Sequence, residues 1–206
     1  MSEYLTIDGL TENTTVIERS KFICVLKGIE NEEQAKEFIA SVKKQHSLAN
    51  HNCYAYIADE KGLIQKFSDD GEPQGTAGMP MLEVLRAKGL YKTVAVVTRY
   101  FGGIKLGTGG LVRAYSGAVS DCVDKAKLLN LKKATFFEVY PDYDGYSKLF
   151  KLYSDDVKCI NTDFDEKITV RIAVVKQSVK TFVTALNDAF SGKIDFEEMG
   201  EDYFAF

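Results

Sequence analysis

The chain has 206 residues, 45 % of them apolar and 27 % charged, and its 26 Lys plus Arg against 30 Asp plus Glu leave a formal net charge of −4. These values suit one large or two small globular domains and exclude a disordered chain. Aliphatic runs such as Val94-Ala95-Val96-Val97 fall far short of the roughly 20 residues of a membrane helix, and the opening MSEYLTIDGL lacks the basic flank and apolar block of a secretory signal, so a cytoplasmic protein without membrane association is expected.

In chain order, residues 20–26 are rich in β-formers and predict a strand. Asn31 is placed to cap a helix, with Gln34 three residues on and Glu32 and Glu33 in the first turn; Ala35, Phe38, Ile39 and Val42 supply its apolar stripe. Residues 53–58 and 63–67 predict two strands joined by a turn at 60–62. A glycine-rich loop leads to a helix expected from about Pro80, a residue suited to a first helical turn. Residues 92–99 predict a strand apolar enough to be buried on both faces. After a second glycine loop, Val112, Tyr115, Val119, Cys122, Val123 and Ala126 mark another helix. From about residue 135 the pattern reads strand 136–140, helix 143–153, strands 157–164 and 167–175, helix 178–190 and strand 193–203. That order is βαββαβ, the ferredoxin-like split unit. The fold class expected is therefore α+β, with domains 1–133 and 134–206 divided by the basic stretch near Leu131 and Thr135.

Charge and glycine are both segregated. Residues 136–206 hold 8 basic and 14 acidic side chains. Residues 86–133 hold 10 basic side chains (Arg86, Lys88, Lys92, Arg99, Lys105, Arg113, Lys125, Lys127, Lys132, Lys133) against only Asp121 and Asp124. A block of this kind points to an anionic partner without identifying it. Eleven of the 16 glycines lie between Gly62 and Gly117.

Both glycine loops are expected to follow a strand and precede a helix, where amide groups can hold an anion. The second runs from Arg99 through Gly102, Gly103, Lys105, Gly107, Thr108, Gly109 and Gly110 to Arg113. Lys105 and Arg113 would add charge, and Arg99 a fork suited to phosphate oxygens. Gly102-x-x-x-x-Gly107-Thr108 lacks the lysine of a P-loop, and Val112 stands where a dinucleotide fingerprint needs its third glycine, so both nucleotide motifs are rejected. Tight helix–sheet packing is the alternative use of these glycines.

In the first loop Asp69, Asp70 and Glu72 offer carboxylates for Mg²⁺ or general-base chemistry, with Thr76 as a nucleophile; Asx turns and a helix entry account for the same residues without chemistry. His51 and Cys53 share one strand face, with His46 five residues before His51, yet residues i and i+2 rarely bring sulfur and imidazole into a nucleophilic pair. Cys24, Cys53, Cys122 and Cys159 stand singly in apolar surroundings, which predicts reduced, buried thiols with no disulfide frame and no tetrathiolate zinc site. No cofactor or metal is expected. Tyr100-Phe101 beside Arg99 could stack on bases, although core packing is the commoner fate of aromatics.

Together the two loops resemble the YigZ/IMPACT family. The likeness lies in Phe67-Ser68-Asp69-Asp70-Gly71-Glu72-Pro73-x-Gly75-Thr76-Ala77-Gly78-x-Pro80 and in Val96-Val97-Thr98-Arg99-Tyr100-Phe101-Gly102-Gly103-x-Lys105-Leu106-Gly107-x-Gly109-Gly110-Leu111-Val112-Arg113-Ala114-Tyr115, with His51 and Tyr54-Ala55-Tyr56 upstream. The resemblance implies a two-domain bacterial-type protein. Its amino-terminal βα domain would be similar to the second domain of a small-subunit ribosomal protein and of elongation factor G. Its carboxy-terminal ferredoxin-like domain would be similar to the last domain of elongation factor G. Eukaryotic relatives regulate translation by inhibiting activation of a kinase through an additional amino-terminal module; this sequence opens at the shared domain, so that role is not expected to carry over. Some relatives have been labelled peptidases, but the resemblance brings no catalytic set.

The function expected is an RNA- or ribosome-associated binding protein in translation or its regulation, contacting phosphates through Arg99, Lys105, Gly107, Thr108, Gly109, Gly110 and Arg113. The alternative is a hydrolase of phosphoesters or peptides using Asp69, Asp70 or Glu72 with His51. A protein-interaction adaptor is the third reading, and the sequence leaves the oligomeric state open.

Overall fold

A computed structural model describes residues 3–206. The protein is a mixed α/β chain built on two sheets, and it divides into two compact units, Glu3–Leu129 and Asn130–Phe206.

Two strands precede the first one marked by the sequence pattern. β1 (Glu3–Ile7) forms a parallel bridge between Leu5 and Leu90, and β2 (Leu10–Ile17) is a threonine-rich edge strand that alternates exposed and half-buried positions. β2 pairs antiparallel with β3 (Ser20–Gly28) from Leu10↔Lys27 to Ile17↔Ser20. α1 (Glu32–Gln45) starts as its sequence predicts: Asn31 Oδ1 accepts from Gln34 N at 3.0 Å, while the Gln34 side chain accepts from Glu30 N at 2.9 Å. Reciprocal bonds of this type satisfy amides that the helix itself cannot.

β4 (His51–Ile57) and β5 (Gln65–Ser68) form an antiparallel hairpin. The second strand begins two residues later than expected, because the Asp59 carboxylate accepts from the amides of Lys61, Leu63 and Ile64 and folds them into the turn. α2 (Gly78–Ala87) in turn begins two residues before Pro80. β6 (Thr93–Tyr100) is the central strand, buried from Thr93 to Arg99. α3 (Gly107–Val123) buries Leu111, Ala114, Tyr115, Ala118, Val119, Cys122 and Val123, whereas Val112, expected on the buried stripe, is exposed.

The first unit's sheet runs β2-β3-β6-β4-β5, each neighbouring pair antiparallel. Its period-two alternation separates two cores. One face sets Phe22, Cys24, Leu26, Cys53, Ala55, Ala95 and Val97 against α2 and α3. The other sets Ile23, Val25, Val94 and Val96 against Ala35, Phe38, Ile39 and Val42 of α1.

In the second unit, β7 (Leu128–Tyr140) leads to α4 (Tyr143–Leu149), β8 (Val157–Phe164), β9 (Ile168–Val175), α5 (Val179–Phe190) and β10 (Asp195–Ala205). β7 is continuous across the expected boundary at 133/134. The order along the sheet is β10-β7-β9-β8, all antiparallel, so the first and third strands lie side by side in the middle. Phe137, Val139, Val170, Ile172 and Val174 form its core with Leu149, Phe182 and Leu186 of the two helices. Among the described residues no helix is long and apolar enough to cross a membrane.

Gly102 shows what one motif glycine does for the fold. A Cβ there would land inside the backbone shell of Arg19 and Ser20, where the second loop crosses the turn before β3. Gly102→Ala is expected to lower the unfolding free energy by at least about 1–3 kcal/mol, the usual cost of overpacking. A urea titration followed by circular dichroism reads this directly, and an unchanged midpoint would refute the close approach.

Candidate functional site

The loop after β5 is built around Asp69. Its Oδ2 accepts from Gly75 N at 2.9 Å, and its Oδ1 accepts from Ala77 N at 3.0 Å and Gly78 N at 2.8 Å. The carboxylate thus caps α2 from nine residues away, which is why the helix starts at Gly78 rather than Pro80. Asp70 is held as firmly: Oδ1 lies 2.6 Å from Lys43 Nζ, and Oδ2 accepts from Asn52 N at 2.7 Å. The Thr76 hydroxyl is buried and donates to Pro73 O at 2.6 Å. A carboxylate already filled by amides, or a hydroxyl already donating, has little left for a reacting group.

Glu72 is the third acid and is almost fully buried. Its Oε1 accepts from Arg99 Nη1 at 2.7 Å and from the Tyr115 hydroxyl at 2.7 Å. The Arg99 and Glu72 side chains are only 6 % and 3 % exposed, so this ion pair is screened little by water. Arg99 therefore sits in the wall, not at the surface as a free phosphate fork. Sequence reasoning missed the pair, but the signal was present. On β6, Arg99 follows Ala95 and Val97 at steps of two, placing it on the α2/α3 core face, where a charged group needs an opposite charge.

Burial above all, with Cys53 and Glu72 adding, holds the Tyr115 hydroxyl far above its ordinary range, so it stays a donor. The Cys53 thiol is pushed up to about 12, chiefly by burial and further by the Glu72, Asp70 and Asp69 carboxylates; it donates to Asp69 O at 3.0 Å. A thiol so far from ionising is a core side chain, not a nucleophile. His51 Nδ1 lies 2.9 Å from Asp70 O. Because a carbonyl only accepts, that nitrogen carries a proton, and Nε2 lies 3.8 Å from Glu72 Oε2. His46 is separate, with Nδ1 3.0 Å from the Tyr100 hydroxyl.

The two glycine loops face each other across a cleft of about 450 Å³, lined on one side by His51, Glu72 and Pro73 and on the other by Phe101, Lys105, Leu106, Gly107 and Thr108, with Arg99 and Leu111 beneath. Gly110 and Arg113 line an adjoining depression that shares Lys105 and Leu106. Gly109 lies under the Arg113 guanidinium, since a Cβ there would sit 3.6 Å from Nη1. Gly107 takes φ +70°, a conformation that suits glycine, at the start of α3. Among the described residues no side chain caps this helix start.

Pairing decides which part of the basic block remains available. Of its ten members, Arg86, Lys88, Lys92, Arg99, Lys127, Lys132 and Lys133 each pair with a carboxylate. Lys125 donates to Asn13 Oδ1 at 2.7 Å. Lys105 and Arg113, both exposed and both beside the open start of α3, remain without an ion-pair partner among the described residues. Among those residues no group of three or more His, Cys, Asp or Glu side chains is placed to hold a metal ion.

The sequence matches the Impact N-terminal domain over residues 18–123, a span that contains the whole cleft. It is 40 % identical over 199 residues to the IMPACT family member YvyE of Bacillus subtilis (strain 168), covering 96 % of this chain and 92 % of that protein. It is 38 % identical over 181 residues to the IMPACT family member YigZ of Escherichia coli (strain K12), covering 86 % and 89 %. A solved structure described as a hypothetical protein is 34 % identical, with a TM-score of 0.63 over 98 % of this chain and all of that one.

Two measurements test this geometry. Glu72→Ala leaves Arg99 buried without its counter-charge and is expected to cost about 3–5 kcal/mol in a denaturant titration, while the Glu72→Ala/Arg99→Met double variant recovers much of that loss. Under native conditions an alkylating reagent is expected to modify Cys159, which is exposed on β8 rather than buried as its sequence suggests, and to reach Cys24, Cys53 and Cys122 only on unfolding; rapid native labelling of Cys53 would contradict its burial.

Proposed function

The chain belongs to the IMPACT family, and we propose that it is a cytoplasmic, RNA- or ribosome-associated binding protein acting in translation or its regulation, with phosphate groups held at the cleft between its two glycine loops. One observation carries the reading. Among the described residues, the only two members of the basic block whose side chains form no hydrogen bond or ion pair, Lys105 and Arg113, lie near a helix start that no side chain caps. Amides of a first helical turn, a positive helix end and two unspent cations together favour an oxyanion. Thr108 adds a hydroxyl beside them.

The architecture supports the same reading. The second unit's order β10-β7-β9-β8, with a helix after its first and third strands, is the arrangement of a ferredoxin-like domain. We read it as similar to the last domain of elongation factor G, and the first unit as similar to the second domain of a ribosomal protein. The hydrolase alternative is less well supported: Asp69, Asp70 and Glu72 already serve amides, Lys43, Arg99 and Tyr115.

Binding of a labelled structured RNA, followed by fluorescence anisotropy at several salt concentrations, tests the proposal. Each cation on a phosphate contributes about 0.7–0.9 to the slope of log affinity against log salt. Lys105→Ala and Arg113→Ala are each expected to weaken binding at low salt and to flatten that slope by about one. An unchanged slope in both variants would refute phosphate contact at this site.

A further inference from the structure

We infer that the cleft is shaped for a single unpaired nucleotide, with its phosphate at the start of α3 beside Lys105 and its base against the ring of Phe101. The inference rests on the phosphate reading and adds the class of ligand. Phe101 is 45 % exposed at the cleft rim, an unusual place for a phenylalanine with no chemistry to perform. Its position is fixed from two sides. Its amide donates to Asn50 Oδ1 at 2.8 Å, and the Arg99 guanidinium carbon lies 5.4 Å from the ring centroid. That guanidinium is itself held by Glu72. A ring backed by a buried cation and open on its other side is a preorganised stacking platform.

The polar groups of the cleft are oriented in the same way. Asn50 spends its oxygen on Phe101 N, which leaves its amide hydrogens as donors. His51 spends its Nδ1 proton on Asp70 O, which fixes the ring and leaves Nε2 as its remaining polar atom. Two adjacent polar groups fixed in orientation suit the hydrogen-bonding edge of a base or the hydroxyls of a sugar. Arg99, only 5 % exposed and lining the cleft, has a buried Nε without a hydrogen-bond partner, an unspent donor independent of the helix start. At about 450 Å³ the space lies within the range of sites that enclose one small molecule. In a duplex both faces of a base are covered by its neighbours, so only an unpaired nucleotide can offer a face to Phe101. The same chemistry belongs to a free mononucleotide and to an unpaired position in an RNA chain.

The experiment titrates the full chain with a single-stranded oligoribonucleotide, the matching duplex, and adenosine and uridine monophosphates, for wild type and for Phe101→Ala, Phe101→Tyr and Lys105→Ala. Single strand is expected to bind at least about tenfold tighter than duplex. Phe101→Ala is expected to weaken the single strand by about 5- to 150-fold, the range for losing one stacked base, and to abolish the preference, while Phe101→Tyr restores it. Monophosphates binding as tightly as the oligomer would identify a free nucleotide as the ligand; oligomer binding well above them would identify an RNA strand. Equal affinity for single strand and duplex, or no effect of Phe101→Ala where Lys105→Ala weakens both, would overturn the nucleotide inference and leave the phosphate reading intact. No effect of Lys105→Ala on any ligand would overturn the phosphate reading itself.

Discussion

The buried contact between Glu72 and Arg99 is the constraint on which the rest of the first unit's site depends. Removing two charges from water costs several kcal/mol apiece, and the pair recovers this only through close geometry and added hydrogen bonds. Here the added bond is Tyr115 O–H on the same carboxylate oxygen. Three segments separated in sequence thereby meet: the first glycine loop, the end of the central strand β6, and the third turn of α3. Neither loop can move away without exposing a charge to an apolar wall. The cleft between them is fixed before any ligand arrives.

The same pair also decides the local charge. Arg99 looks like the strongest phosphate ligand in the sequence, yet its charge is cancelled from within. What remains is Lys105 just before α3 and Arg113 in its second turn. The two strand–loop–helix segments are alike in composition and opposite in outcome. At α2, the Asp69 carboxylate occupies the helix start and closes it. At α3, Leu106 is the capping residue and can accept nothing with its side chain. An acid placed at one glycine loop and absent from the other separates a structural turn from an open one. Gly102, whose missing Cβ admits the Arg19 backbone, belongs to the packing use of glycine; Gly107, at positive φ, belongs to the shaping of the open end.

Much of this was legible from the chain. Asn31 with Gln34 marked the start of α1, and the alternation of Ile168, Val170, Ile172 and Val174 marked β9, because caps and periodicity are local. Leu63 and Ile64 misled, since apolar β-formers beside a strand look like more strand; Asp59 spends its oxygens on their amides and holds them in a turn. β2 escaped notice because Thr11, Glu12, Asn13, Thr14 and Thr15 carry little apolar signal, and an edge strand is specified by its neighbour as much as by itself. Asp69, Asp70 and Glu72 could be grouped as carboxylates but not told apart. Which amide or cation each one meets depends on residues 6 to 43 positions away.

Charge counting gave the wrong scale for the site, and the reason is general. A stretch with ten basic residues suggests a broad electrostatic surface, but seven pair with carboxylates, six of them from outside the stretch. Two free cations release few counterions, so long-range attraction can supply only a shallow, salt-sensitive part of any binding energy. Selectivity in such a site must come from groups fixed in position and orientation, which lose little freedom when a partner arrives. Asn50, His51 and Phe101 are groups of that kind, each held from behind by a bond that leaves its other side free. The ion pair that removes Arg99 from the surface is what makes Phe101 rigid, so the charge lost to the interior returns as shape.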